Sequence, residues 1–202
     1  MKKKTNIIYN GVVFAEIEER KLRNTEKPTF IVASHLRESK GVQDLIAAVS
    51  LLSDEIKKEI KIVIYGDGPY KSHLVDSINK MELQNCFTFM GSRPNLRILF
   101  SKYDYLLQPT HMECFSLSVL ESLAANVPVI TTNVGGNEEV IVNGLNGYIF
   151  KVQDINALKE ILEKVYLGHK KIESNTRSLV KDSFSLTTMV EHHLALVVQN
   201  KF

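Results

Sequence analysis

Two glutamates with a fixed spacing are the residues of this chain best placed to do chemistry. Glu113 and Glu121 stand at the two ends of the segment Glu113-Cys-Phe-Ser-Leu-Ser-Val-Leu-Glu121. The apolar spacing predicts a helix over 115–125, with Glu113 in the preceding loop and Glu121 about two turns along. The free N–H groups at the start of this helix, together with its dipole, would form an anion site. Taken alone, the spacing is a weak signal, because Glu pairs on a solvated helix face often arise by chance.

A lysine offers the positive charge that a bound anion needs. Lys40 lies near the end of the segment 34–41. It is followed directly by Gly41, which opens a predicted helix. A Lys about 4 Å from a phosphate supplies roughly 4 kcal/mol at an effective dielectric constant near 20. The dipole of the 115–125 helix adds roughly 0.3–2 kcal/mol. The alternative interpretation of Lys40 is an ordinary solvated surface lysine.

Short apolar runs alternate along the chain with segments of helical periodicity. These elements must position the candidate residues. Because the runs are apolar throughout, they indicate strands buried on both faces, joined by helices into a parallel sheet. The predicted fold class is therefore α/β, a doubly wound, Rossmann-like sheet, in which ligands bind at the carboxyl ends of the strands. The predicted strands cover 30–33, 62–65, 87–90, 105–107 and 128–131, and the predicted helices 41–52, 94–102, 115–125, a helix capped by Asp154, 170–181 and 185–199.

Composition excludes several classes of protein. The 202 residues are 44% hydrophobic and 24% charged, as in an ordinary globular protein, and the net charge of +2 gives no reason to expect a nucleic-acid partner. Cys86 and Cys114 form neither a disulfide framework nor a zinc ribbon, and no apolar run is long enough to span a bilayer. Gly66 and Gly68 are followed by Lys71, so the G-x-G-x-x-G fingerprint is absent, and no Walker A motif occurs. We expect a cytoplasmic chain.

A longer pattern surrounds the two glutamates. The stretch 109–158 resembles the donor-binding half of the group 1 glycosyltransferases, retaining enzymes of family four with the GT-B architecture. Upstream, 34–41 resembles the family's G-R-L-x-x-x-K-G, 66–69 its G-x-G-P turn, and Asn10-Gly11-Val12 its interdomain linker. The matching positions of the main pattern are Glu113, Phe115, Leu117, Leu120, Glu121, Ala124, Pro128-Val129-Ile130, Thr132, Gly135-Gly136, Glu139, Gly144 and Gly147.

The resemblance implies a role for each candidate residue. Glu113 is expected to contact the donor sugar near the reacting carbon, Lys40 to face the departing diphosphate, and Glu121 to bind the nucleotide ribose. Arg93 would border the base, unless it is merely exposed or contributes only its backbone. Since the chain has no Asp-x-Asp, we expect a metal-independent reaction without a cofactor. The remaining implied donor contacts are the backbone N–H groups of Cys114, Phe115, Ser116 and Leu117, and the Gly135-Gly136 pair, which allows close packing of a loop or forms a plain turn.

Two departures from the family pattern bear on the site. His35 replaces the arginine of G-R-L, and His35 is mostly neutral at pH 7 unless the diphosphate raises its pKa. Arg37 is a candidate to contact the diphosphate instead, although both His35 and Arg37 can be ordinary loop side chains. Cys114 and Ser116 replace glycines of E-G-F-G, so either they point away from the donor or the pocket is narrower and selects a different sugar.

The resemblance also implies an arrangement of domains. We interpret 1–28 as an interdomain linker or lead-in and 29–202 as the nucleotide-sugar donor-binding domain, ending in the 185–199 helix. The expected partners are a nucleotide diphosphate sugar, based on UDP or GDP, and an N-terminal acceptor-binding domain or separate subunit, through which a peripheral membrane association is possible. The expected acceptor is a glycan or a lipid-linked sugar, as in polysaccharide biosynthesis. Two alternatives are a non-catalytic nucleotide-sugar-binding or scaffold subunit and a sugar-nucleotide epimerase.

Overall fold

The computed structural model describes residues 6–21 and 27–199, which form one α/β unit. Six parallel strands make a single sheet in the order β3-β2-β1-β4-β5-β6. The strands are β1 (Phe30–Ala33), β2 (Ile62–Tyr65), β3 (Phe87–Gly91), β4 (Tyr105–Gln108), β5 (Val129–Thr132) and β6 (Gly147–Phe150). The α-helices are α1 (Val42–Ser50), α2 (Asp54–Glu59), α3 (Lys71–Lys80), α4 (Leu117–Ala124), α5 (Asn137–Val140), α6 (Ile155–Tyr166), α7 (Thr176–Val180) and α8 (Leu186–Gln199).

The predicted doubly wound parallel sheet is confirmed, and five of its six strands lie where the sequence places them. The predicted 94–102 helix is instead two 3-10 helices, Leu96–Ile98 and Phe100–Lys102, because Asn95 adopts a left-handed φ of 55° directly after Pro94. The predicted 170–181 helix shrinks to α7. The sequence pattern also missed β6, α2 and α5, which are too short for a clear period.

Each face of the sheet has its own core. Alternate strand residues such as Phe30 and Val32 pack on one face against α1, α3 and α6. Ile31 and Ala33 point to the other face, which α4, α5 and α7 cover. Both faces are therefore dry, as the continuous apolar strands predict.

Residues of the segment 12–17 belong to the second core. Val12, Phe14 and Ile17 are buried there. Arg177 of α7 secures this segment by donating hydrogen bonds to the carbonyls of Phe14 at 2.8 Å and Ile17 at 3.2 Å. The division into a lead-in over 1–28 and a domain over 29–202 stays a prediction, although the described part of the lead-in packs on the domain.

The order of the strands creates one position where loops diverge. From β1 the chain moves outward to β2 and β3, then returns to β4 on the other side of β1. Pairing of Phe30 with Tyr105 and of Ile31 with Leu106 keeps β1 and β4 side by side. The loops that follow β1 and β4 therefore meet at the carboxyl edge of the sheet, the position where doubly wound sheets bind ligands. Within the described ranges, no helix combines the length and the apolar character needed to cross a membrane.

Candidate active site

Lys40 and Glu113 meet across the junction of β1 and β4. Nζ of Lys40 lies 2.8 Å from Oε2 of Glu113, and the side chains are 22% and 18% exposed. Lys40 ends a 3-10 helix in the loop after β1, whereas Glu113 lies in the loop after β4. The structure thus brings together the two residues that sequence analysis places at the centre of the site.

The two loops touch through their backbones as well. Gly41 has a φ of 68°, and a Cβ at this position would lie 1.8 Å from the carbonyl oxygen of Pro109. The N–H of His111 donates a hydrogen bond to the carbonyl of Ser39 at 2.8 Å. A glycine after Lys40 is therefore required both by the left-handed backbone and by the absence of space.

The start of α4 presents backbone donors beside Glu113. Ser116 caps the helix, since its Oγ accepts from the N–H of Val119 at 3.4 Å and from Nε2 of Gln108 at 2.7 Å. The consecutive N–H groups of residues 115–118 have no hydrogen-bond acceptor in the part of the chain that the structure describes. Such a run of free donors at a helix start favours an anion.

The glycine pair after β5 packs against the Glu113 loop. Gly135 has a φ of 54°, and a Cβ there would lie 1.8 Å from the carbonyl oxygen of Glu113. The N–H of Gly136 donates to the carbonyl of Cys114 at 2.8 Å. The pair therefore forms a turn, closed by the N–H of Asn137 on the carbonyl of Val134 at 3.2 Å, that packs closely against the Glu113 loop.

Glu121 is a half-buried carboxylate on α4. Burial raises its pKa above the usual range, while the charge of Arg97, on the 3-10 helix Leu96–Ile98, acts in the opposite direction. Among residues 6–21 and 27–199, no side chain or backbone group forms a hydrogen bond or an ion pair with it. Both oxygens are thus available to donors that come from a ligand.

The side chains that replace the family glycines point in different directions. The Ser116 side chain is buried and is occupied by its cap and by Gln108, so it does not narrow a donor pocket. Cys114 is exposed, and its N–H donates to Oε1 of its neighbour Glu113 at 3.2 Å. Phe115 stacks on Tyr9 at 5.3 Å and tilts against Phe184 at 5.7 Å, so its ring serves packing and only its backbone faces the site.

The remaining candidates lie at the margin of this arrangement. His35 and Arg37 are exposed in the loop after β1, and Leu117 is an exposed first residue of α4. Arg93 is exposed after β3, the edge strand two positions away from β1. For the described residues, the structure shows no side-chain hydrogen bond that holds His35, Arg37 or Arg93 against the Lys40–Glu113 pair.

Sequence reasoning missed Gln108 as a support of the site. It is the last residue of β4, it is buried, and its Nε2 fixes the Ser116 cap. The signal was available, because a glutamine that ends an otherwise apolar buried strand needs a specific partner.

The chain matches one family model and several known proteins. A model described as glycosyl transferases group 1 matches residues 13–178. N-acetyl-alpha-D-glucosaminyl L-malate synthase of Bacillus anthracis is 29% identical over 164 residues, which cover 79% of this chain and 42% of that protein. Glycogen synthase of Mycobacterium tuberculosis is 29% identical over 162 residues, which cover 79% of this chain and 39% of that protein.

A solved structure shares the fold. HepE of Anabaena, crystallised with UDP and glucose, superimposes with a TM-score of 0.82 at 20% identity, covering 96% of this chain and 56% of that one. The chain thus spans about two fifths of the two curated relatives and somewhat more than half of this solved chain.

Proposed function

Because the chain belongs to the group 1 glycosyl transferases, we propose that it binds a nucleotide diphosphate sugar at the β1–β4 junction, as the donor-binding part of a retaining glycosyltransferase. The observation that carries the proposal is the Lys40–Glu113 pair at 2.8 Å, next to the free N–H groups of residues 115–118. A positive charge, a carboxylate and a helix start converge there, which is what a departing diphosphate and a reacting sugar require.

Lys40 and the start of α4 bind the diphosphate in this proposal. Negative charge grows on the phosphate oxygens as the bond to the sugar breaks, and a fixed ammonium with helix N–H groups stabilises that charge without a metal. Lys40 already faces a carboxylate, so the diphosphate shares its charge with Glu113. Its net contribution is therefore smaller than the roughly 4 kcal/mol expected for an isolated Lys–phosphate contact.

Glu113 acts on the sugar. In a retaining transfer the bond between the anomeric carbon and the phosphate oxygen breaks, and the acceptor oxygen bonds to the anomeric carbon on the same face of the ring. The acceptor's hydroxyl proton passes to the departing diphosphate. Positive charge develops at the anomeric carbon during this step. The Glu113 carboxylate, held by Lys40 and by the Cys114 N–H, lies where it can stabilise that charge and bind sugar hydroxyls.

Glu121 and the loop after β3 bind the nucleoside. The unpartnered carboxylate of Glu121 suits two neighbouring ribose hydroxyls, both of which donate to it. Its neighbour Arg97 lies in the segment that follows β3, so the base would lie between this segment and α4, with Arg93 at the border. UDP is the first nucleotide to test, because the HepE structure contains it.

The acceptor side of the reaction requires a second domain or subunit. The matched relatives are about twice the length of this chain or longer, and the acceptor, a glycan or a lipid-linked sugar in this proposal, would bind to the additional part. α8 offers a surface for it, since five of its apolar side chains are exposed: Leu186, Val190, Leu194, Val197 and Val198.

Calorimetric titration of the chain with UDP, GDP and ADP tests the donor site. We expect micromolar to millimolar binding of one nucleotide, weakened roughly 30-fold in K40A and unchanged in K159A. Lys159 is a matched control because it pairs with Glu163 at 2.6 Å with a similar exposure. Absence of binding by all three nucleotides would refute the proposed function.

Transfer itself is tested after an acceptor domain is supplied. E113Q is expected to abolish transfer while nucleotide binding remains. Equal transfer by E113Q and the unmutated chain would instead favour the scaffold subunit, the alternative suggested by the exposed His35 in place of the family arginine.

A further inference from the structure

A second pair of side chains joins helix α1 to the loop after β4, and the proposed function does not use it. Nε2 of His111 lies 2.6 Å from Oδ2 of Asp44, and these side chains are 19% and 11% exposed. Asp44 lies in the first turn of α1, and His111 precedes Glu113 by two residues. Lys40 and Asp44 are four residues apart, so this link lies near the Lys40–Glu113 ion pair along the chain.

Both ends of this second link are fixed. Asp44 is buried at the start of α1, where the helix dipole favours its negative charge. At the other end, the His111 N–H donates to the Ser39 carbonyl at 2.8 Å, and Oγ1 of Thr110 donates to the same carbonyl at 3.1 Å. The imidazole thus has little freedom to leave the carboxylate.

The two side-chain links respond differently to a bound diphosphate. A bound phosphate also attracts the Lys40 ammonium, which weakens the attraction between Lys40 and Glu113. His111 and Asp44 have no role in binding the donor, so their hydrogen bond persists when Lys40 is shared. The backbone before Glu113 then keeps the His111–Asp44 hydrogen bond as its side-chain link to α1.

We propose that His111 is a positioning residue. Together with Asp44 it holds the 109–113 loop against α1 while Lys40 binds the diphosphate, and the loop in turn holds Glu113. The inference rests on the proposed function for what Glu113 does. The link itself can be tested without any ligand.

Hydrogen–deuterium exchange of the 202-residue chain without ligand measures the link directly. H111F and D44A each remove one partner, and we expect roughly tenfold faster exchange of the amides of residues 110–114. H111Q keeps a donor that reaches the carboxylate and restores slow exchange. H169F is the matched control, because His169 is an exposed histidine after α6, at the other edge of the sheet.

A double variant separates positioning from a merely local structural effect. In the K40A background H111F removes the second of the two side-chain pairs, so the increase in exchange exceeds the product of the two single effects. Transfer with a supplied acceptor domain then reports the consequence: the rate is roughly tenfold lower in H111F and D44A and is rescued by H111Q, while UDP affinity does not change.

The outcomes distinguish this inference from the proposed function. If the unmutated chain binds none of the three nucleotides, the proposed function fails, while the exchange rates still decide whether His111 holds the loop. Unchanged exchange in H111F and D44A overturns the inference, even when UDP binds. Faster exchange that H111Q does not restore also overturns it, because the hydrogen bond would not be the cause.

Discussion

The two ends of the β1–β4 junction each carry one ion pair, and the pairs are built differently. At the amino edge, Arg20 contacts Asp104 at 2.9 Å, with side-chain exposures of 14% and 11%. The other Asp104 oxygen accepts from both the N–H and the hydroxyl of Thr29 at 2.8 Å. Nε of Arg20 donates to the carbonyl of Asn126 at 3.2 Å. Four hydrogen bonds thus hold this pair, and we call this edge of the junction the saturated end.

At the carboxyl edge the ion pair is less complete. Within the described residues, Glu113 is the hydrogen-bond partner of the Lys40 ammonium, which can donate three hydrogen bonds. Free N–H groups of α4 and the unpartnered Glu121 lie nearby. The difference teaches that the same strand junction serves stability at one edge and leaves unused hydrogen-bonding capacity for a ligand at the other.

The largest expected effect is at the saturated end. D104A leaves the Arg20 guanidinium and the Thr29 N–H without their acceptor in a largely buried place, so we expect a loss of about 3 kcal/mol in the free energy of unfolding. Urea unfolding measures it, with D54A as control, because Asp54 pairs with Lys57 while 80% exposed. Nucleotide affinity of the folded chain should not change, and a loss below about 1 kcal/mol would contradict the comparison.

K40A is the opposite case at the unsaturated end. Removal of one charge-assisted hydrogen bond to the diphosphate costs about 2 kcal/mol of binding free energy, roughly a 30-fold weaker affinity. The free energy of unfolding should change by less than about 1 kcal/mol, because the pair is partly hydrated. Calorimetric titration and urea unfolding of the same samples give both numbers. A variant that unfolds more easily but binds normally would reverse the assignment of the two edges.

S116A tests the helix start that carries the free donors. The variant removes the cap of α4 and the partner of Gln108, which we expect to cost about 1 kcal/mol of stability. S118A is the control, since Ser118 is on the same turn and no described group accepts from or donates to its hydroxyl. Equal melting temperatures for S116A and S118A would show that the cap does not hold this end of α4.

The smallest expected effect concerns Glu121 and depends on pH. Because burial raises its pKa in the folded chain, the unfolded chain loses this proton first as pH rises. The folded state is therefore penalised progressively as pH rises from the unfolded pKa through the raised folded pKa. E121Q lacks this penalty, so its advantage over the unmutated chain should grow with pH and stay under about 1 kcal/mol, since the carboxylate is partly hydrated. Urea unfolding from about pH 4 to about pH 7 measures the trend, and an advantage that shrinks with pH would contradict it.

The sequence predicted the parts of this molecule that depend on local pattern. The runs Phe30–Ala33 and Ile62–Tyr65 are buried strands, and Asp154 caps α6 by accepting from the Ala157 N–H. It could not predict β6, whose four residues are strand because they pair with β5. Nor could it predict the two 3-10 helices after Pro94. The sequence keeps a helical period there, but the backbone does not form one continuous α-helix.

For the candidate site, the sequence by itself determined which residue types are available: a lysine before a glycine, two glutamates around a helix start, and a glycine pair downstream. Only the tertiary structure decided that Lys40 faces Glu113, that Ser116 and Phe115 turn away from the cleft, and that Asp44 reaches His111. The partners in the Lys40–Glu113 and Asp44–His111 links lie 73 and 67 positions apart. Neighbours along the chain fix a strand or a helix cap, whereas contacts over such a separation exist only after β1 and β4 have paired.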